Sequence, residues 1–256
     1  MLILISPAKS LDFETAPTTE IYSEAKFLKE SQALIKRLRK FSTDEIAEFM
    51  SISPKLAQLN HERFLSWQTP FSIDNAKQAL LAFKGDVYAG LDVESLTEEE
   101  LNIAQKDLRI LSGLYGVLKP LDLIQPYRLE MGKKLKTPKG NNLYEFWGDK
   151  ITDAINVSLK EKGDQYLINL ASNEYFKSIN KRKLEAEIIT PVFKDLKNGQ
   201  YKIISFFAKK ARGLMTRFII QNQISNPEHL KTFNSEGYIF NPHLSTNKEF
   251  VFTRDQ

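Results

Sequence analysis

The chain opens on an apolar run, Leu2-Ile-Leu-Ile5, that stops at Ser6-Pro7, the pattern of a buried strand followed by a loop. Over residues 20–41 the spacing turns helical, with Phe27, Leu34 and Leu38 on one stripe and Lys29, Lys36, Arg37 and Arg39 elsewhere. Ser42 with Glu45 three residues on has the spacing of a capping box. Ser53-Pro54 predicts another helix start, because proline is tolerated at the first helical position. Residues 79–83 read as a strand or a helix end leading into Gly85, and Thr97 with Glu100 predicts a capped helix to about Ala104. A second buried strand is expected at 108–112, a helix at 143–159, a strand at 166–170 and a short helix at 173–179. Asn198-Gly199 between two β-rich runs, 187–195 and 200–206, is a strong hairpin signal. A helix through Gln223 and late strands at 237–240 and 249–253 complete the pattern. The elements mix rather than strictly alternate. They predict one α/β (mixed α+β) domain over residues 1–256 around a mixed central sheet, with 108–140 a candidate middle lobe.

One stretch breaks these rules. Residues 110–132 carry Ile110, Leu111, Leu114, Val117, Leu118, Leu121, Leu123 and Ile124, yet Gly113, Gly116, Pro120, Pro126 and Arg128 interrupt them. A core helix does not tolerate so many breakers, and a surface loop does not carry so many apolar residues. The stretch reads as a compact turn between short elements. Gly113-Leu-Tyr-Gly116 is then a hairpin able to bring backbone N–H groups close to an anion.

This segment, together with Ser6-Pro-Ala-Lys-Ser-Leu-Asp12, Gly85-Asp-Val-Tyr-Ala-Gly-Leu91, Asn169-Leu-Ala-Ser-Asn-Glu-Tyr-Phe-Lys177 and Ser205-Phe-Phe-Ala-Lys-Lys-Ala-Arg-Gly-Leu-Met215, resembles the YaaA family of bacterial peroxide-stress proteins. The five stretches run in order along essentially the whole chain. The resemblance implies an α/β protein with a positively charged cleft, a helix-hairpin-helix element, DNA binding, and a role in limiting oxidative damage linked to intracellular iron.

Composition narrows the chemistry. There is no cysteine, so disulfides, thiolate metal sites and a cysteine peroxidase mechanism are excluded, and a reducing cytoplasm is the natural compartment. No apolar run approaches the roughly 18 residues of a membrane span. The net charge is only +4, but it is unevenly spread. Residues 86–107 hold seven acids and one lysine, whereas 177–217 hold eleven Lys or Arg and three acids. That separation suits either alternating solvated faces or a basic surface for polyanions.

The clearest basic element is the helix that starts at Ser205. Ala208, Ala211, Met215, Phe218 and Ile219 share its core stripe, while Lys209 and Arg212 lie on another and Lys210 and Arg217 are a heptad apart. Its start follows a predicted strand, where ligands collect in α/β sheets. Lys9 follows another strand behind the rigid Pro7. Arg128 suits a phosphate or a stacked base, or an ion pair with Asp122 or Glu130. Lys133, Lys134, Lys136 and Lys139 form a basic run that is either a phosphate-attracting or a solvated loop.

The expected DNA-contacting set is Lys9, Arg128, Lys177, Lys209, Lys210, Arg212 and Arg217, with amides of Gly113 and Gly116. Double-stranded or branched DNA would be read by shape and charge more than by sequence. A Gly-x-x-Gly reading of that hairpin as a KH loop is weaker, since Leu114 and Tyr115 are not basic. No catalytic motif stands out. Asp12, Asp86, Glu145, Asp149 and Glu174 are candidate carboxylates, and Asn169, Ser172 and Ser205 candidate polar partners. The alternative function is therefore an enzyme acting on nucleic acid or a small phosphorylated compound, with Asp86 or Glu174 as acid or base. His61, His229 and His243 lack zinc-site spacing and no Glu-x-x-His pair supports a di-iron bundle, so no metal and no cofactor are expected, with a carboxylate-only iron or magnesium site the open alternative and iron sequestration the weakest reading. No protein partner and no membrane association are predicted.

Overall fold

The computed structural model describes residues 1–255. In chain order, β1 (Leu2–Ile5) and β2 (Ser10–Leu11) precede three helices, α1 (Leu28–Leu38), α2 (Thr43–Met50) and α3 (Pro54–Ser66). Then come β3 (Lys77–Gln78), α4 (Ala79–Ala82), β4 (Phe83–Lys84), α5 (Asp86–Leu91) and α6 (Glu98–Asp107). The middle of the chain supplies β5 (Leu108–Ser112), β6 (Gly116–Leu118), β7 (Leu123–Ile124), α7 (Leu143–Trp147) and α8 (Lys150–Lys162). The remainder is β8 (Tyr166–Leu170), α9 (Asn173–Phe176), β9 (Glu187–Lys197), β10 (Gln200–Lys202), α10 (Ser205–Gln221), β11 (Ile239–Phe240) and β12 (Glu249–Arg254).

Eight strands form one mixed sheet in the order β11-β12-β9-β8-β1-β5-β6, with β10 paired to β9. The five central strands, β12, β9, β8, β1 and β5, are mutually parallel, and β6, β10 and β11 are antiparallel additions. A parallel strand is covered on both faces, which explains why Leu2, Ile3, Leu4 and Ile5 are apolar without alternation and fully buried. The capping boxes at Ser42/Glu45 and Thr97/Glu100 both form. The Asn198-Gly199 hairpin forms with both residues at positive φ, joining β9 to β10.

Residues 110–132 thread the core. Only Lys119 and Gly132 in this stretch are exposed. The breakers follow from this path. A Cβ on Gly113 would lie 2.2 Å from the Leu129 carbonyl oxygen, and Gly116 sits at φ +70 against the Trp147 ring. The polar atoms that Ser112, Tyr115 and Tyr127 carry inward are paired. Tyr115 Oη accepts from Trp67 Nε1 at 3.0 Å and from Gln125 N at 3.1 Å, and Trp147 Nε1 donates to Gly113 O at 3.0 Å. Ser112 Oγ and Tyr127 Oη lie 2.7 Å apart. β5 and β6 belong to the main sheet and their side chains to its continuous core.

Several expected elements are shorter, among them α9, which ends at Phe176, β10, which ends at Lys202, and β11, which begins at Ile239. The helix expected over 20–41 begins at Leu28, since Ser23 instead bridges Asp122. The helix expected over 143–159 is divided by Gly148 at φ +49 into α7 and α8.

Candidate functional site

Parallel pairing of β1 and β8, with Ile5 opposite Leu170, brings their C-terminal ends together. The loops that follow are tied there, where Ser172 N donates to Ser6 Oγ at 2.8 Å. Such strand ends are the usual location of ligand sites in α/β sheets. Here they floor a cavity of about 480 Å³. The first loop supplies Lys9, the start of α5 supplies Asp86 and Tyr88, the segment after β7 supplies Glu130, α9 supplies Glu174 and Tyr175, and α10 supplies Lys209 and Arg212.

The wall joining α5 to α10 depends on two glycines. A Cβ on Gly90 would lie 2.1 Å from Lys210 O, and one on Gly213 would lie 1.9 Å from Val87 O. The two backbones therefore touch, which sets Asp86 and the first turns of α10 across one cleft.

The cleft is mixed in charge rather than uniformly positive. Lys9, Lys84, Lys209 and Arg212 line it, and so do Asp86, Glu130 and Glu174. Lys84 Nζ is held 2.6 Å from buried Asp12. Lys9 Nζ lies 3.3 Å and Arg128 Nη2 3.2 Å from Glu130 Oε1. Among the described residues, Lys209 and Arg212 make no side-chain hydrogen bond or ion pair in the protein. Burial draws the Arg212 guanidinium below its ordinary pKa, though arginine stays charged in proteins. Two buried polar atoms also lack partners, Arg128 Nε and Glu130 Oε2. Tyr88 donates to Ser6 O at 3.1 Å, and burial pushes the Tyr88 and Tyr175 phenols well up, so both remain neutral.

Other sequence candidates lie elsewhere. Lys210 pairs with Glu236 at 2.5 Å. Arg217 donates to the Leu91 and Asp92 carbonyl oxygens, both at 2.9 Å, and serves the α5 C-terminus. Lys177 is exposed beside the cleft with its Nζ 5.1 Å from the Tyr144 ring centre. Gly113 and Gly116 are buried and flanked by β5 and β6, so that hairpin is strand–turn–strand. It is not a helix-hairpin-helix, and its burial keeps it from presenting amides to an external phosphate. Arg128 takes the Glu130 ion pair that its sequence context offered, and not the one with Asp122.

Among the candidate carboxylates, Asp12 is held well below the usual range, first by the Lys84 hydrogen bond and then by the Thr15 and Glu14 amides. It is a clamp. Asp149 pairs with Lys183, and Glu145 accepts from Asn141 N and Asn142 Nδ2. Glu174 Oε1 accepts from Gly132 N at 2.9 Å, and Asp86 opens α5 in the cleft. Asn169 Oδ1 accepts from Ala171 N, and Ser205 starts α10. Lys84, Tyr88, Tyr175 and a site role for Glu130 were missed from sequence. Lys84 directly precedes the Gly85 motif, and that adjacency was the available signal. No group of three or more His, Asp or Glu among the described residues could hold a metal ion. No described helix is long and apolar enough to cross a membrane.

The family model described as peroxide stress protein YaaA matches residues 1–244. The chain belongs to the peroxide stress protein YaaA family. Full-length relatives include a UPF0246 protein of Colwellia psychrerythraea, 58% identical over 256 residues and covering all of both chains. One from Aliivibrio fischeri is 57% identical over all of this chain and 99% of its own. One from Shewanella baltica is 56% identical over all of both. The match takes in every element of the YaaA-family chain that builds the cleft, from β1 through α10.

Proposed function

We propose that this chain binds DNA in the cytoplasm through the cleft and so limits iron-linked damage during peroxide stress. The observation that carries the reading is the pair Lys209 and Arg212, two cations facing a cleft without an acidic partner. Phosphates supply what they lack. Cations that neutralise DNA phosphates displace condensed counterions. Iron(II) held as such a counterion would leave the duplex with them.

A second basic element supports the reading. Helices α2 and α3 form a tight hairpin through residues 51–53, with Ser51 left-handed at φ 55 and Ser53 capping α3. The backbone N–H groups of Ser53 and Lys55 have no partner in the described protein, and the Lys55 side chain is exposed beside them. Helix N-termini of this kind bind phosphate. Lys133 Nζ donates to Met50 O at 2.9 Å, and neighbouring Gly132 is bonded to Glu174 of the cleft. The hairpin and the cleft are thus linked through adjacent residues, with Lys134 and Lys136 exposed next to them.

Fluorescence anisotropy on duplex and branched DNA over a salt series tests the proposal. Lys209→Ala/Arg212→Ala should weaken binding at least tenfold, and Lys210→Ala, whose charge is spent on Glu236, should change it little. Equal affinity of the double variant and the wild type would remove the cleft from DNA binding.

A further inference from the structure

The cavity and its unpartnered atoms specify more than a backbone contact. A volume of about 480 Å³ is that of a small-molecule pocket and cannot admit a duplex. A duplex would lie across the mouth, and only a single unit of it could enter. The interior asks for two chemistries at once. Lys209 and Arg212 ask for an anion. Glu130 asks for a donor, because it is 7% exposed, lines the cavity, and has one oxygen taken by Lys9 and Arg128 while Oε2 is buried without a partner. A buried carboxylate oxygen left unpaired is costly, and an N–H or O–H from a ligand relieves it. Tyr88 and Tyr175, both neutral, line the same space.

A ligand with a phosphate, a flat ring and a hydrogen-bond donor is a nucleotide. We infer that the cleft is a pocket for one nucleotide everted from a DNA strand. Lys209 and Arg212 hold its phosphate, and Glu130 Oε2 accepts from its base or sugar. Eversion leaves a gap in the base stack, which apolar side chains commonly fill. Phe206 is placed for that. It is 60% exposed and lies one helical turn before Lys209 on the same side of α10. This inference rests on the DNA-binding reading above.

The test places 2-aminopurine, whose fluorescence rises on unstacking, within a duplex that also carries an end label for anisotropy. With the full chain, both signals should change together, and the 2-aminopurine intensity should rise severalfold. Deoxyadenosine monophosphate should suppress that rise at least tenfold more effectively than inorganic phosphate. Glu130→Gln and Phe206→Ala should each cut the rise at least fivefold. Phe206 is exposed, so its replacement tests the idea even if the Glu130 variant folds poorly. An anisotropy change without a fluorescence rise overturns the inference and sustains DNA binding. Loss of both signals overturns both. Equal suppression by phosphate would make the cleft an anion site only, and a wild-type rise in both variants would also defeat the inference.

Discussion

Asp122 offers a test of how the interior is built. It is 3% exposed, and its carboxylate accepts from Ser23 Oγ at 2.6 Å and from Lys119 N at 2.8 Å. Burial raises its pKa from 3.8 to about 6, against the smaller opposing effects of those two hydrogen bonds and of Lys119 and Arg109. The folded protein therefore holds this proton more tightly than the unfolded chain. The resulting stability is fully present below pH 3.8 and is lost as pH rises through about 6. A displacement of about two pH units at about 1.4 kcal/mol each makes ionised Asp122 cost the fold roughly 3 kcal/mol at neutral pH.

Asp122→Asn removes the titration while keeping the shape. Its Oδ1 can still accept from Lys119 N, and its Nδ2 can donate to Ser23 Oγ once that hydroxyl turns. Urea unfolding of both proteins between about pH 3.5 and about pH 7.5 gives the comparison. Other carboxylates, such as Asp12 and Asp149, titrate alike in both and cancel in the difference. Wild-type stability relative to the variant should fall by roughly 3 kcal/mol across this range, about 2 kcal/mol of it between about pH 4 and about pH 6, and level off above about pH 7. A difference independent of pH would refute the reasoning, whatever its size.

Gly213→Ala should destabilise by about 2 kcal/mol or more, because its Cβ would lie 1.9 Å from Val87 O and 2.7 Å from Leu91 N. An unchanged urea midpoint would show that α5 and α10 separate freely. Ser42→Ala should cost about 1 kcal/mol by breaking a solvent-exposed capping box. A loss well above that in urea unfolding would mean the α2–α3 hairpin depends on the cap. The Lys209→Ala/Arg212→Ala protein should show a salt slope for DNA binding shallower by about 2, one for each lost phosphate contact. An identical slope at lower affinity would point to misfolding instead.

What the sequence revealed was local. Caps at Ser42, Ser53 and Thr97, the Asn198-Gly199 turn and the apolar strands at Leu2 and Leu108 each depend on a few adjacent residues. All are found in the structure. Gly113 was misplaced for the opposite reason. Its neighbours fit either a turn between helices or one between strands, and the choice was made by Leu129, Trp147 and the main sheet, which no local pattern encodes. The α2–α3 hairpin was visible only as two separate caps. The cleft was half legible. Lys9, Lys209 and Arg212 were found from their positions after strands, but the pairing of Lys210 and Arg217 is set by packing. So is the meeting of Ser6 with Ser172, 166 residues apart.

The uneven charge along the chain shows how such a site is made. The acidic run over 86–107 and the basic stretch over 177–217 suited either alternating solvated faces or a basic surface for polyanions. The structure packs them together through Gly90 and Gly213. Arg217 lies 3.6 Å from Asp92, and Glu100 is held below its usual pKa by the Thr97 amide and, less strongly, by Arg217. On its other flank Lys210 is taken by Glu236. Two of the four basic residues of α10, Lys210 and Arg217, are thereby neutralised at its flanks. What remains unpaired in the cleft is the Lys209 and Arg212 pair at the first turns of α10, opposite the ends of β1 and β8. Net charge would have predicted diffuse attraction over a whole face. Selective neutralisation instead concentrates it at one place, so two substitutions there should outweigh several made among the exposed lysines of 177–202.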